Sequence, residues 1–474
     1  MASPVHPDPN TESLPRQASA RRSSRLSEGS APKRALDYTI SYEGKLPEEQ
    51  ILRSNALELK KVISGVTSNG CGWKNRIYHG ENLGVMRALL NDGDIRGKVT
   101  LVYIDPPFAS GARFESRDEE QAYDDVLFGA RYLEFIRQRL VLIRELLGDS
   151  GSVYVHLDSK MAFPVKVIMD EVFGPANFRN WITRKKCNSK NFTRKQYGSI
   201  SDYILFYTKT ENYVWNKPVE PWTQERAKEY QYIDEASGRL FMKVPVHAPG
   251  VRNGETGQPW RGKFPPPGKH WQYPPAVLDK LDANGEIYWS ANGNPRRKIF
   301  FDQSQGIPVQ DLWLELKDAH NQNIDVSGYP TEKNLDLLRR IVNASSNPED
   351  LVLDCFMGSG TTLDAAEEGR RRWIGIDSSS KAIETTLKRL AQGLEPMGDF
   401  VNGKNGRGGK NPSTPALFPA APLCTNFDLY EAPGQQPTVS SAEVKRIFQE
   451  TLSSTPRLVS RGASSASQQE SALD

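Results

Sequence analysis

Two short stretches of this chain hold residue types that can do chemistry. The first is Asp105-Pro106-Pro107-Phe108. The exocyclic amine of adenine or cytosine is a poor nucleophile, because its lone pair is delocalised into the ring. A carboxylate that accepts a hydrogen bond from such an amine raises its reactivity and helps carry away the proton. Two prolines fix the local backbone, so that a carbonyl, here assigned to Pro106, can take the second amine hydrogen. The aromatic ring of Phe108 can stack on a base turned out of a duplex. Asp105, Pro106, Pro107 and Phe108 are therefore the candidate catalytic residues. The reaction they suit is a direct in-line transfer with no covalent enzyme intermediate.

The second stretch is Asp354-Cys355-Phe356-Met357-Gly358-Ser359-Gly360-Thr361-Thr362. Its glycines allow a sharp strand-to-helix turn and close approach of a ligand to the backbone. The next apolar run, Trp373-Ile374-Gly375-Ile376-Asp377, ends in a carboxylate suited to ribose hydroxyls. Leu363 stands where a dinucleotide fingerprint would carry its third glycine, and no Gly-Lys-Ser/Thr follows to make a phosphate loop. A nucleoside cofactor bound without a helix-capped pyrophosphate remains, and S-adenosylmethionine fits that description.

The elements around these stretches must position them. Val99 to Ile104 is a β-branched apolar run that ends at Asp105, which predicts a buried parallel strand feeding a rigid loop. Helical spacing is predicted over 47–63, 83–90, 131–147 and 160–173, with a strand over 151–158. After the middle region come a helix (334–345), a strand (351–354), a helix (361–369), a strand (373–377) and a helix (380–390). This alternation predicts an α/β fold with a doubly wound, mostly parallel sheet. Residues 178–328 change texture, being rich in Trp, Tyr, Asn, Gly and Pro. Residues 1–36 read as a disordered basic tail. Residues 396–474 read as a flexible extension with one helix near 441–452.

With both motifs in hand, the chain resembles the β-class DNA amino-methyltransferases of restriction–modification systems, including type III modification subunits. The resemblance runs from about Ile77 to Leu390. In that family an Asp-Pro-Pro-aromatic motif comes first, then a target-recognition region, then the Phe-x-Gly-x-Gly cofactor motif. Gly80-Glu81-Asn82-Leu83 is similar to the segment before the catalytic strand, and Tyr329-Pro330-Thr331-Glu332-Lys333 to the one that opens the cofactor half. The resemblance implies a circularly permuted S-adenosylmethionine-dependent methyltransferase fold. Residues 37–177 would be its catalytic half, 178–328 an inserted recognition region and 329–395 its cofactor half. Phe356, Gly358, Gly360, Thr361 and Asp354 would surround the cofactor, Asp377 its ribose, and Thr331 and Lys333 its carboxylate end. Three departures stand out: Phe108 for Tyr, Cys355 for Pro, and Lys333-Asn334 for a Lys-Pro step.

Asp in the first motif position implies adenine N6 as the acceptor, with cytosine N4 as the alternative. Double-stranded DNA is the implied substrate, and a restriction subunit and a second copy of the chain are the implied partners. Seven basic residues and no acid lie between Arg179 and Lys195. Of these, Arg184, Lys185, Lys186, Lys190, Arg194 and Lys195 are the candidate DNA contacts. Trp260-Arg261-Gly262-Lys263 and Asn294-Pro295-Arg296-Arg297-Lys298 add basic points in the same region.

Composition narrows the class. The net charge of +3 over 474 residues means that a nucleic-acid surface must come from local clustering. No apolar run nears the roughly 20 residues of a membrane span. Cys71, Cys187, Cys355 and Cys424 lie far apart, so no zinc site or disulfide framework is expected and a reducing cytoplasm is. Two rivals come from other classes. Asp302 with Glu315-Leu316-Lys317 imitates a nuclease metal pattern, and a non-catalytic DNA-binding module would share the basic region.

Overall fold

The computed structural model describes residues 38–53, 57–63, 72–107, 129–189, 195–222, 228–301, 306–318, 325–326, 329, 332–393, 395–396, 424, 426–435, 446 and 448. Among them ten strands form one sheet. In chain order these are β1 (Lys60–Ile63), β2 (Asn75–His79), β3 (Val99–Ile104), β4 (Leu147–Leu157), β5 (Phe178–Lys185), β6 (Ser201–Thr208), β7 (Leu312–Trp313), β8 (Leu351–Asp354), β9 (Arg372–Asp377) and β10 (Phe427–Glu431). The spatial order is β1-β10-β2-β9-β8-β3-β4-β6-β5-β7. The strands from β10 to β4 run parallel, whereas β6 is antiparallel to both its neighbours.

Helices cover both faces, as an all-apolar parallel strand requires. Val102 and Ile104 of β3 join a core with α3 (Gly129–Leu146) and α4 (Ala162–Phe173). Leu101 and Tyr103 join the opposite core with α6 (Leu335–Ser345), α7 (Thr361–Glu368) and α8 (Ser380–Gln392). The period-2 alternation of one strand thus feeds two cores. Asn334 caps α6 by accepting from the Asp336 amide at 2.8 Å, which gives a local reason for Asn after Lys333.

Three expectations are corrected. The predicted helix over 47–63 is only α1 (Glu48–Arg53), and Lys60–Ile63 is drawn into the sheet by antiparallel pairing with β10. The extension past 396 supplies β10 itself, parallel to β2, because Phe427 and Leu429 bury there. The change of texture at 178 is not the end of the central sheet, since β5 and β6 form an antiparallel hairpin within it. Beyond this hairpin a four-stranded antiparallel sheet forms from Tyr232–Ile233, Leu240–Pro245, Ile287–Trp289 and Pro295–Phe300. With α5 (Pro275–Ala283) nearby, Trp260, Trp271, Leu278 and Ile287 make a small separate core. The expected tail 1–36 lies outside the described residues. So does most of 441–452, although Phe448 is buried against Phe427, ring centres 5.5 Å apart.

Candidate active site

Strands β3 and β8 are parallel neighbours, with Val102 beside Leu353, so their carboxyl ends lie side by side. The first continues into Asp105 and the second into the glycine loop. The β3 strand leads to α3 and β4 on one side of the sheet order, and β8 leads to α7 and β9 on the other. The crevice at such a reversal is where open α/β sheets bind ligands. Two motifs far apart in sequence are thereby brought to one place.

The glycine loop is held from below. Gly358 and Gly360 have φ of +52° and +76°, a left-handed backbone that side chains disfavour. Asp354 is buried, and its oxygens accept from the Phe356 amide at 2.9 Å and the Thr362 hydroxyl at 2.5 Å. Burial pushes its pKa up to about 7 against these bonds. Asp377, at the end of β9, accepts from the amides of Gly358 (2.9 Å) and Ser379 (2.8 Å). Burial pushes its pKa up too, with the backbone amides opposing. Thr361 is buried, and its hydroxyl accepts from Arg389 at 3.1 Å; Arg389 also pairs with Glu332 and Asp364. Asp354 and Thr361, expected to touch the cofactor, are therefore buttresses of the loop. Phe356 is half-buried beside Phe135 of α3, ring centres 6.0 Å apart. Asn82 donates to the Cys355 carbonyl at 2.6 Å and accepts from Arg139 at 2.6 Å, tying the loop to α3. Cys355 is fully buried and burial pushes its thiol pKa up, so it packs.

Asp105 is half-buried, and its Oδ2 pairs with Lys333 Nζ at 2.6 Å. Sequence reasoning placed Lys333 near the cofactor's carboxylate end, but the structure sets its ammonium on the catalytic carboxylate. Asp105 Oδ1 is buried with no hydrogen-bond partner among the described residues. A buried, unsatisfied carboxylate oxygen costs free energy unless a ligand donates to it. Pro106 is buried and Pro107 exposed. Phe108 and Thr331 lie outside the described residues.

Residues that the sequence reading missed stand behind Asp105. His156 of β4 has Nδ1 4.0 Å from Asp105 Oδ1 and 2.8 Å from the Tyr103 hydroxyl, and Nε2 2.9 Å from Asp202 of β6. Arg184 of β5 grips Asp202 with two bonds of 2.8 and 2.6 Å and reaches Asp318 at 2.6 Å. Burial works against the charge on Asp202, but His156 and Arg184 hold it well below the usual carboxylate range. The available signal was a His and an Asp inside apolar strands, in Tyr154-Val155-His156-Leu157 and Asp202-Tyr203-Ile204-Leu205.

The candidate DNA contacts divide. Arg184 is corrected: it is fully buried and committed to two carboxylates, so it cannot meet phosphate. Lys185 and Lys186 are half-buried and Lys195 is exposed; Lys190 and Arg194 lie outside the described residues. Arg261, Arg297 and Lys298 are likewise engaged with Asp279 and Asp282, Glu286, and Asp234. On the four-stranded sheet, Lys243 sits 3.5 Å from the ring centres of both Tyr232 and Tyr288, with Arg296 exposed nearby. The nuclease-like pattern does not assemble among the described residues: Glu315 pairs with Arg340 at 2.6 Å, and Asp302 lies outside them.

A family model described as DNA methylase, N6_N4_Mtase, matches residues 99–388, from the first residue of β3 into α8. The Type II methyltransferase M.EcaI of Enterobacter cloacae is 48% identical over 366 residues, 77% of this chain and 80% of that protein. The chain belongs to the N6/N4 DNA methylase family. This methyltransferase is also 28% identical to the StyLTI Mod subunit, a type III restriction-modification enzyme of Salmonella typhimurium, across 65% of the chain and 53% of the subunit. It is 24% identical to DNA adenine methyltransferase YhdJ of Escherichia coli K12, across 66% of the chain and 82% of YhdJ. The methyltransferase uses S-adenosylmethionine as its methyl donor. The residues present suit that group: a loop without Cβ atoms at Gly358 and Gly360, and carboxylates at the ends of β3, β8 and β9.

Proposed function

We propose that this methyltransferase acts on the N6 amine of adenine within a specific sequence of double-stranded DNA. The observation that carries the reading is the buried, unsatisfied Asp105 Oδ1 at the crevice between β3 and β8, where an amine donor would complete it. Asp105 accepts one amine hydrogen and the Pro106 carbonyl the other, which turns the nitrogen lone pair out of conjugation. Bound S-adenosylmethionine supplies a methyl group activated by its positive sulfur. Lys333 holds the second carboxylate oxygen, so Asp105 presents Oδ1 in a fixed direction. Phe108 stacks on the flipped base. The name of YhdJ specifies adenine, which agrees with Asp105 at the head of the motif.

Residues 178–328 serve target recognition outside the β5–β6 hairpin. Lys185, Lys186 and Lys195 contact phosphate, joined by the Lys243 and Arg296 face of the four-stranded sheet. The likeness to a Mod subunit makes a restriction subunit the partner to seek. A second copy of the chain is the other proposed partner, and the cytoplasm is the proposed compartment. Among the described residues no helix is long and apolar enough to cross a membrane. Sequencing of modified bases in DNA from cells expressing the chain tests the acceptor. N6-methyladenine at one recurring sequence supports the proposal; N4-methylcytosine overturns the adenine assignment and leaves the amine chemistry in place.

A further inference from the structure

Methylation of an amine leaves a surplus proton. The N–CH3 bond forms as the S–CH3 bond breaks, and one N–H bond of the base must then lose its proton. Asp105 is the first acceptor, because its Oδ1 faces the amine in the proposed reaction. The crevice offers Asp105 no hydrogen-bonded route onward through Lys333, which is a donor only. The side chain behind Oδ1 is His156, fully buried, with Nδ1 4.0 Å away.

The surroundings of His156 are arranged for a positive charge. On its far side Nε2 lies 2.9 Å from Asp202, which selects the tautomer protonated at Nε2 and leaves Nδ1 as an acceptor. Asp202 is kept anionic by Arg184 across β5, and Arg184 is held in turn by Asp318 and the Leu316 carbonyl. The Tyr103 hydroxyl, 2.8 Å from Nδ1, is buried next to Asp105, and burial keeps it neutral by pushing its pKa well up. A neutral hydroxyl can donate to an empty Nδ1 or accept from a protonated one. A buried ion pair of Arg184 and Asp202 alone would need no histidine. The row Arg184, Asp202, His156, Asp105 instead alternates in sign once His156 is charged.

We propose that His156 is the proton acceptor behind Asp105. After methyl transfer the amine proton passes to Asp105 Oδ1 and then to His156 Nδ1. The imidazolium rests on Asp202, the Tyr103 hydroxyl turns from donor to acceptor, and Asp105 returns to its carboxylate form. His156 thus acts through Asp105, as a positioning and proton-holding residue, for either amine acceptor. The charged and titratable groups facing it are Tyr103 and Asp105 from β3 and its end, Asp202 from β6 and Arg184 from β5, with Asp318 and Lys333 one step further out. The proposal rests on Asp105 being the group that meets the amine.

The test has two arms. In the first, full-length protein labelled with 15N-histidine is titrated by NMR without DNA or cofactor, and His156 is identified by the signals that vanish in His156→Gln. Asp105→Asn should lower the His156 midpoint by about one pH unit or more, since an anion 4.0 Å away is removed. An unchanged midpoint overturns the relay even if Asp105→Asn is inactive, so the role of Asp105 and the role of His156 are separated. In the second arm, kcat is followed against pH. The wild type should lose rate as pH falls through the His156 midpoint measured by NMR. His156→Gln should lower kcat on the order of a hundredfold, abolish that acid limb and leave both KM values within about twofold. A profile of unchanged shape overturns the proposal. Should His156→Gln fail to fold, Tyr103→Phe, which removes only the hydroxyl on Nδ1, must lower kcat without raising KM; wild-type kcat in that variant overturns it.

Discussion

Gly360→Ala would bear directly on the cofactor loop. The residue sits at φ +76°, where an L side chain costs roughly 1–2 kcal/mol. The added Cβ would also meet both Cγ2 and Oγ1 of Thr386 at 2.8 Å. Thr386 cannot simply step aside, because its hydroxyl donates to the Gly358 carbonyl at 3.1 Å and so fixes the other half of the turn. Overpacking of this kind costs about 1–3 kcal/mol. Together the two effects come to about 2–5 kcal/mol, released by the loop leaving its native shape. If the cofactor needs that shape, even about 2 kcal/mol weakens it roughly thirtyfold. Isothermal titration with S-adenosylmethionine reads the affinity, and a thermal melt reads any loss of the fold. Adding Thr386→Ala should restore the steric part and leave the left-handed part. Native affinity in Gly360→Ala, or no recovery in the double variant, would refute the account of this loop.

Other outcomes follow from the same geometry. Asp105→Ala should abolish methyl transfer while cofactor binding stays within a fewfold, and activity above background would remove Asp105 from the chemistry. Neutralising Lys185 and Lys186 together should flatten the salt dependence of DNA binding, by about 0.9 in slope for each phosphate that is no longer neutralised. Arg184→Met should leave that slope alone and cost about 3–5 kcal/mol in a denaturant melt, since it strands Asp202 beside His156. For Asp354, burial raises the native pKa to about 7 from an ordinary 3.8, so the folded state holds a proton that the unfolded state has lost. Its contribution is complete below about pH 4 and disappears as pH rises to 7, by up to about 4 kcal/mol. Asp364, also raised to about 7 by burial, acts in the same window. Asp354→Asn should therefore remove about half of the fall in stability between pH 4 and 7, and an unaltered slope contradicts the assignment.

The sequence by itself determined the parallel core, because β3, β8 and β9 are apolar runs that end in acids and glycines, a pattern set by local sterics and by burial on both faces. It also determined the two motifs and their permuted order. Partner strands were less legible. Lys60–Ile63 and Phe427–Glu431 read as helix and tail, since each is short and gains its strand form only from the other's hydrogen bonds. The basic run 179–195 looked like one surface, yet strand alternation turns Arg184 inward to Asp202 while its neighbours keep access to solvent. Charge is visible in a sequence; the carboxylate that neutralises it is visible only once strands are laid side by side. The same holds for Lys333 on Asp105 and for His156 behind it. Local patterning chose which segments become strands, and the pairing of distant segments decided which side chains meet.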